Sequence, residues 1–159
     1  MLLEIFDWLE LTFVGQAIRN SLWLFPAIEA VHLLALVLLG AAVFAVDFRL
    51  LGIGISGVAP ADLTQRARPF LLAAIAGLLA TGIPLFLSEA IKCYYNTSFW
   101  VKMGGLFVIL IFTFTARARY LRTQTDPEAG PDARSRSFAI TSMGLWFLVA
   151  AAGRWIGFS

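Results

Sequence analysis

Residues 26–47 read PAIEAVHLLALVLLGAAVFAVD, and between Ala30 and Val46 no side chain carries a formal charge at neutral pH. A helix that crosses the ~30 Å hydrocarbon core of a bilayer needs about 20 predominantly apolar residues. This run supplies them once its flanks, residues 22–51, are included. Apolar and polar positions do not alternate along it, which excludes a barrel strand. Three further segments have the same character: residues 69–89, 99–118 and 137–156. Lys102 lies near the start of the third and Arg154 near the end of the fourth. The pattern predicts an all-α polytopic membrane protein, a four-transmembrane-helix bundle forming one membrane domain over residues 1–159.

Composition agrees. Of 159 residues, 60% are hydrophobic and 14% charged, against ~45–50% and ~25% in an ordinary soluble domain. A chain of this size leaves roughly a third of its surface exposed, too much to hide so many apolar side chains from water. A soluble enzyme, a disordered chain and a disulfide scaffold are therefore excluded. The lone Cys93 has no partner for an internal bridge, and no Cys/His spacing suits a metal cluster. Twelve Lys and Arg against ten Asp and Glu give a net charge of +2. No basic stripe with interleaved aromatics exists, so nucleic acid is not an expected partner; the bilayer is.

Residues 1–20 are apolar but carry Glu4, Asp7 and Glu10 on one arc of a helix. They predict an amphipathic helix lying at the interface. The start Met-Leu-Leu-Glu lacks the positive region of a signal peptide, so no cleavage is expected. Arg49, Arg66, Arg68, Arg117, Arg119, Arg122, Arg134 and Arg136 come after spans one and three, whereas Arg19, Lys92, Lys102 and Arg154 lie on the other side. The positive-inside rule then puts both termini on the periplasmic side of a bacterial inner membrane. Residues 123–136, with Pro127, Gly130 and Pro131, predict a mobile polar linker on the cytoplasmic side. Trp23, Tyr94, Tyr95, Trp100 and Trp155 form an interfacial aromatic belt at the outer face.

Five ionisable side chains fall in the outer half of the spans: Glu29 and His32 in the first, Glu89 closing the second, Lys102 opening the third and Arg154 closing the fourth. Charged groups at such depth usually face the bundle interior or water and pair, so these predict a polar layer. Glu29 and His32, at i,i+3, share a helix face. His32 lies six residues inside Pro26, about 9 Å along the axis. A neutral imidazole there is the group that haem iron or a metal takes as a ligand. Each residue also has a plain reading. His32 can serve as an interhelical hydrogen-bond partner, Lys102 and Arg154 can snorkel to headgroups, and Glu89 can pair with Lys92. The layer would then only stabilise a structural or accessory subunit. A third reading is a small transporter or proton path through Glu29, His32 and Glu89, with Asp47 as the far acid. Asp47 itself is expected to meet other helices or loop arginines. Small residues, among them Ala73, Gly77, Gly82, Gly104 and Gly105, permit close helix contacts within a protomer or between protomers, and a homo-oligomer is expected.

Pro26-xx-Glu29-xx-His32 in span one, Phe99-Trp100-Val-Lys102 opening span three and Arg154-Trp155-Ile156 near the end resemble an uncharacterised bacterial four-span membrane family. More distantly the chain is similar to HemJ-type protoporphyrinogen oxidases and CopD-type copper-resistance proteins. The former resemblance implies haem b or another tetrapyrrole, with His32 as axial ligand, Lys102 on a propionate and a membrane redox partner. The chain departs from that pattern in having one histidine where b-type haem bundles commonly offer two. His32 shared across a symmetric interface would supply the second ligand, Met103 and Met143 being weak substitutes. A copper site would rest on His32 alone and lacks a Met-rich or Cys/His cluster.

Overall fold

The structure, a computed structural model, describes residues 1–128 and 130–156. It is helical throughout its regular elements. Two short helices, α1 (Leu2–Glu10) and α2 (Phe13–Arg19), lead into α3 (Leu24–Leu51) and α4 (Pro60–Ser88). A short α5 (Ala90–Tyr95) precedes α6 (Thr97–Phe112), which passes through a π-helical turn at Thr113–Arg117 into α7 (Ala118–Arg122). The last helix is α8 (Ala133–Ile156). Four helical stretches are long and apolar enough to cross a membrane: α3, α4, the continuous run Thr97–Arg122, and α8. The protein is thus a multi-pass, all-α membrane protein.

The helix ends reflect local chemistry. α3 stops at Gly52, whose φ of +76° is a left-handed conformation that favours glycine. The amides of Gly52 and Ile53 return to the carbonyls of Arg49 and Phe48, closing the last turn. A side chain at Gly52 would also strike Pro131. α4 begins with Pro60 at its first position, where a missing N–H costs nothing. It runs unbroken through Pro69, so its polar first turns extend the helix well ahead of the apolar window.

Residues 1–20 form two helices, because Thr12 adopts an extended backbone and its hydroxyl accepts the Gly15 amide at 3.3 Å. α1 packs on α5 and α2 on α4. A Cβ on Gly15 would lie 2.6 Å from the Leu87 carbonyl oxygen, so only glycine lets α2 sit this close. Glu4 and Asp7 remain exposed, whereas Glu10 turns inward and is buried. Its carboxylate pairs with Arg19 and accepts the Ile91 amide at 2.8 Å, so it serves an otherwise unpaired donor in the first turn of α5.

α3 packs against α4 and α8, and α6 against α8. Leu39, Val43, Ala74, Ile109, Trp146 and Val149 form the central core. Val46, Leu50, Tyr120, Leu121 and Ala139 form a second cluster toward the end that holds most of the arginines. Small residues serve these contacts within the one chain. A Cβ on Gly77 would approach that of Ala35 to 3.2 Å, and one on Gly105 would come within 3.0 Å of Val149. At the arginine-rich end Arg49 is buried and binds the carbonyls of Val58 (2.7 Å) and Pro127 (2.8 Å). It ties both connecting loops to the bundle. The segment expected to be a mobile linker is therefore anchored, and its last part, from Ala133, is already α8.

The two halves of α3 differ. From Leu39 onward it contributes buried side chains, while before Leu39 it contributes none. Val31, Leu34 and Val37 are 53%, 69% and 70% exposed. In a membrane these faces meet lipid or another protein.

Candidate functional site

His32 is half-buried on α3, facing α4. Its Nδ1 lies 2.8 Å from Thr81 Oγ1. The Thr81 hydroxyl also lies 2.6 Å from the Gly77 carbonyl, within reach to donate to it. With the hydroxyl proton on that carbonyl, Nδ1 carries the ring hydrogen and donates to Thr81. That leaves Nε2 with the lone pair in the neutral ring. Gly82, one residue on, provides the room: a Cβ there would come within 3.3 Å of His32 Cε1. α4 thus fixes the ring with one hydroxyl and one missing side chain.

Lys102 enters from α6. Its side chain is half-buried and lies along Gly153 of α8, with Nζ 3.5 Å from the position a Cβ would occupy. The ammonium is near enough to act electrostatically on both His32 and Cys93. Among the described residues it makes no hydrogen bond or ion pair. Cys93 is buried on α5. Burial pushes its thiol pKa up, and the Glu89 charge adds to the rise; Lys102 and Lys92 pull the other way without cancelling it. The thiol is therefore protonated at neutral pH.

The five residues singled out from sequence do not form one cluster. His32 faces α4 and Lys102 lies along α8, within electrostatic range of each other. Arg154 is next to Gly153 in the chain but is exposed. Glu89 pairs with Lys92 at 3.5 Å on the surface. Glu29 is exposed one turn before His32. Glu10, the buried carboxylate at this end, was not singled out. Its signal was faint: it is the acid nearest the Leu11-Thr12 break, where a chain that turns back can bury a side chain.

The most enclosed polar contact lies elsewhere. Asp47 and Arg117 are 0% and 4% exposed, with Oδ1 2.5 Å from a guanidinium nitrogen. Arg117 also reaches the Val43 carbonyl at 3.4 Å. An additional residue in the π-helical turn rotates the remainder of the helix by about 100° about the axis, and Arg117 closes that turn facing Asp47. Asp47, expected to meet other helices or loop arginines, meets Arg117 at the end of the third span. Ser142 of α8 faces the carboxylate without completing a hydrogen bond. Asp47 Oδ2, Arg117 Nε, Thr113 Oγ1 and Trp146 Nε1 are likewise buried without partners among the described residues.

His32 and Asp47 are fifteen positions apart on α3, about 22 Å along the axis. The central core of Leu39, Val43, Ala74, Ile109, Trp146 and Val149 fills the interval. The two polar regions are separated by a dry layer. Among the described residues no three His, Cys, Asp or Glu side chains could share a metal ion.

These features define a four-span membrane bundle with one polar site open toward the N-terminal end and one sealed ion pair toward the other. The chain matches the model of a family of unknown function (DUF6644) over residues 5–159 and belongs to that family. No curated protein and no solved structure matches it. The resemblance to HemJ-type and CopD-type proteins receives no support from these comparisons.

Proposed function

We propose that this membrane protein binds a carboxylate-bearing tetrapyrrole of the haem b class at the N-terminal end of the bundle, with a redox role. His32 would hold the iron through Nε2, and Lys102 would neutralise a propionate. The observation that carries this reading is the 2.8 Å contact between His32 Nδ1 and Thr81 Oγ1. A hydrogen bond at Nδ1 that leaves Nε2 free is how a metal-ligating histidine is held. Lys102 adds a half-buried cation that no carboxylate of this chain neutralises among the described residues. When bound, haem supplies one-electron redox chemistry. The chain's own part is to orient the imidazole through Thr81 and Gly82 and to hold the anionic edge with Lys102. A second axial ligand would come from His32 of another protomer, across the exposed N-terminal half of α3. By the positive-inside rule we further infer a bacterial inner membrane, with the arginine-rich end in the cytoplasm and both termini in the periplasm.

The test is an absorption spectrum of protein purified in mild detergent from cells supplied with haem. A Soret band is expected, lost in His32→Ala and weakened in Lys102→Met. Colourless wild-type protein overturns the reading. A second reading, a non-enzymatic accessory subunit, is favoured by the exposed apolar face of Val31, Leu34 and Val37, which suits a protein partner as well as lipid. A proton path is disfavoured by the dry core between His32 and Asp47.

A further inference from the structure

A second polar feature lies apart from the His32 and Lys102 site. At the arginine-rich end, the junction of the π-helical turn, α7 and the start of α8 forms a half-open cleft of about 340 Å³. Arg119 and Arg134 line it, with Tyr120 and Phe138 as an aromatic wall. Tyr120 stacks on Phe138 with ring centroids 4.6 Å apart. The Arg134 guanidinium lies over the Tyr120 ring, 5.5 Å from its centroid. That contact holds the cation by its face and leaves its N–H edge available. Arg119 is exposed and makes no hydrogen bond or ion pair among the described residues. The one carboxylate at Tyr120, Asp132, is committed elsewhere: its Oδ1 accepts the Ser135 amide at 2.6 Å and the Tyr120 hydroxyl at 3.2 Å. The Thr123 hydroxyl at the rim donates inward to the Tyr120 carbonyl. Two guanidinium groups from different helices therefore face one cleft, and among the described residues neither makes an ion pair.

Its position decides what the counter-ion is. The cleft opens where the apolar run Thr97–Arg122 ends, the depth at which headgroups begin. Below it the surface is apolar, with Phe114 50% and Ile140 63% exposed. We propose that the cleft between Arg119 and Arg134 holds the phosphate of an anionic phospholipid, whose acyl chains lie along the apolar face below. Arginine forks match phosphate oxygens geometrically, and basic pockets at a membrane surface select anionic headgroups. A phosphate seated here adds a bridge from α7 to the first turn of α8, beside the Tyr120–Phe138 stack that already joins them.

Native mass spectrometry of the full chain, released from nanodiscs of equal phosphatidylglycerol and phosphatidylcholine with matched acyl chains, tests this. Wild type retains phosphatidylglycerol preferentially. Arg119→Gln/Arg134→Gln retains roughly thirtyfold less, the scale of two surface charge contacts. Arg122→Gln/Arg136→Gln removes the same charge outside the cleft and retains the wild-type amount. Equal loss in both double variants means diffuse charge attraction and overturns the proposal. So does equal retention of phosphatidylcholine. Glycerol phosphate alone, added to protein in detergent, leaves the melting temperature unchanged, whereas phosphatidylglycerol raises it; equal shifts would identify a free-phosphate site and overturn the lipid. If the double variant does not fold, Arg119→Gln alone, at an exposed position, carries the comparison.

Discussion

At the arginine-rich end, Asp47 and Arg117 are sealed between helices, while at the N-terminal end Lys102 is half-buried with no counter-ion among the described residues and His32 keeps Nε2 without a hydrogen-bond partner among them. Both regions put ionisable groups at membrane depth, and α3 carries a member of each. What separates them is packing. Beyond Leu39 the helix is buried on its inward face, and a charge there must be matched by another charge from the same chain. Before Leu39 no residue is fully buried, and polar groups there are only half-covered or exposed. One region completes the fold, whereas the other is left incomplete by it.

The largest expected effect breaks the sealed region. Asp47→Leu strands the Arg117 guanidinium in an apolar core and should cost about 3–5 kcal/mol in detergent unfolding, the penalty of halving a buried pair. Replacing both, as Asp47→Leu/Arg117→Met, should recover most of that loss. The pair leaves Asp47 Oδ2 and Arg117 Nε unbonded, so its net worth over apolar residues is small. If the double variant is as unstable as the single one, Arg117 has a role beyond neutralising Asp47.

Glu10→Ala comes next. It removes the acceptor of the Ile91 amide and the partner of Arg19, and should cost about 1–3 kcal/mol. The loss should appear first as proteolysis of residues 1–20 at the N-terminal end. His32→Ala removes one neutral hydrogen bond and should change stability by about 0.5–1.5 kcal/mol while abolishing the Soret band. A stability loss as large as that of Asp47→Leu would erase the contrast between the two regions and favour a purely structural histidine.

The smallest effects sharpen the contrast through pH. The Cys93 thiol, pushed up by burial, should react slowly with maleimide at pH 7.5 and faster once Gly15→Leu forces α2 away from α4. Its contribution to stability is present below the ordinary thiol range and lost as pH rises through its raised pKa. Asp132 runs the opposite way. The Ser135 amide holds its carboxyl below the usual carboxylate range, so its contribution is present above that range and lost as pH falls through the depressed pKa. Asp132→Ala should speed hydrogen exchange at the Ser135 amide and leave the His32 region unchanged.

The four spanning helices were legible because the bilayer imposes a length and a composition that a chain cannot disguise. Residues 26–47 had no other soluble or membrane solution. Helix ends were less legible. Pro69 reads as a boundary, yet α4 continues through it at the cost of the hydrogen bond that position 69 would have given the Gln65 carbonyl. The break at Thr12 depended on a cap that competes with the simpler amphipathic pattern. Of the ionisable residues, depth along the axis could be counted but rotation about it could not. Glu29 and His32 share a face by spacing, yet one is exposed and the other turned toward Thr81, because the edge of a helix interface falls between them.

Sequence by itself determined that this chain lives in a membrane, crosses it four times, and carries polar groups near one end and arginines near the other. It did so because hydrophobicity and charge are summed along the chain and need no partner. The tertiary structure alone decided which of those groups meet. Arg117 faces Asp47 because a π-helical turn rotates it there, Glu10 serves α5 across 81 positions of sequence, and Lys102 is left within electrostatic range of His32 with no ion pair among the described residues. Each of these depends on the angle between packed helices, a quantity that exists only once distant segments are in contact.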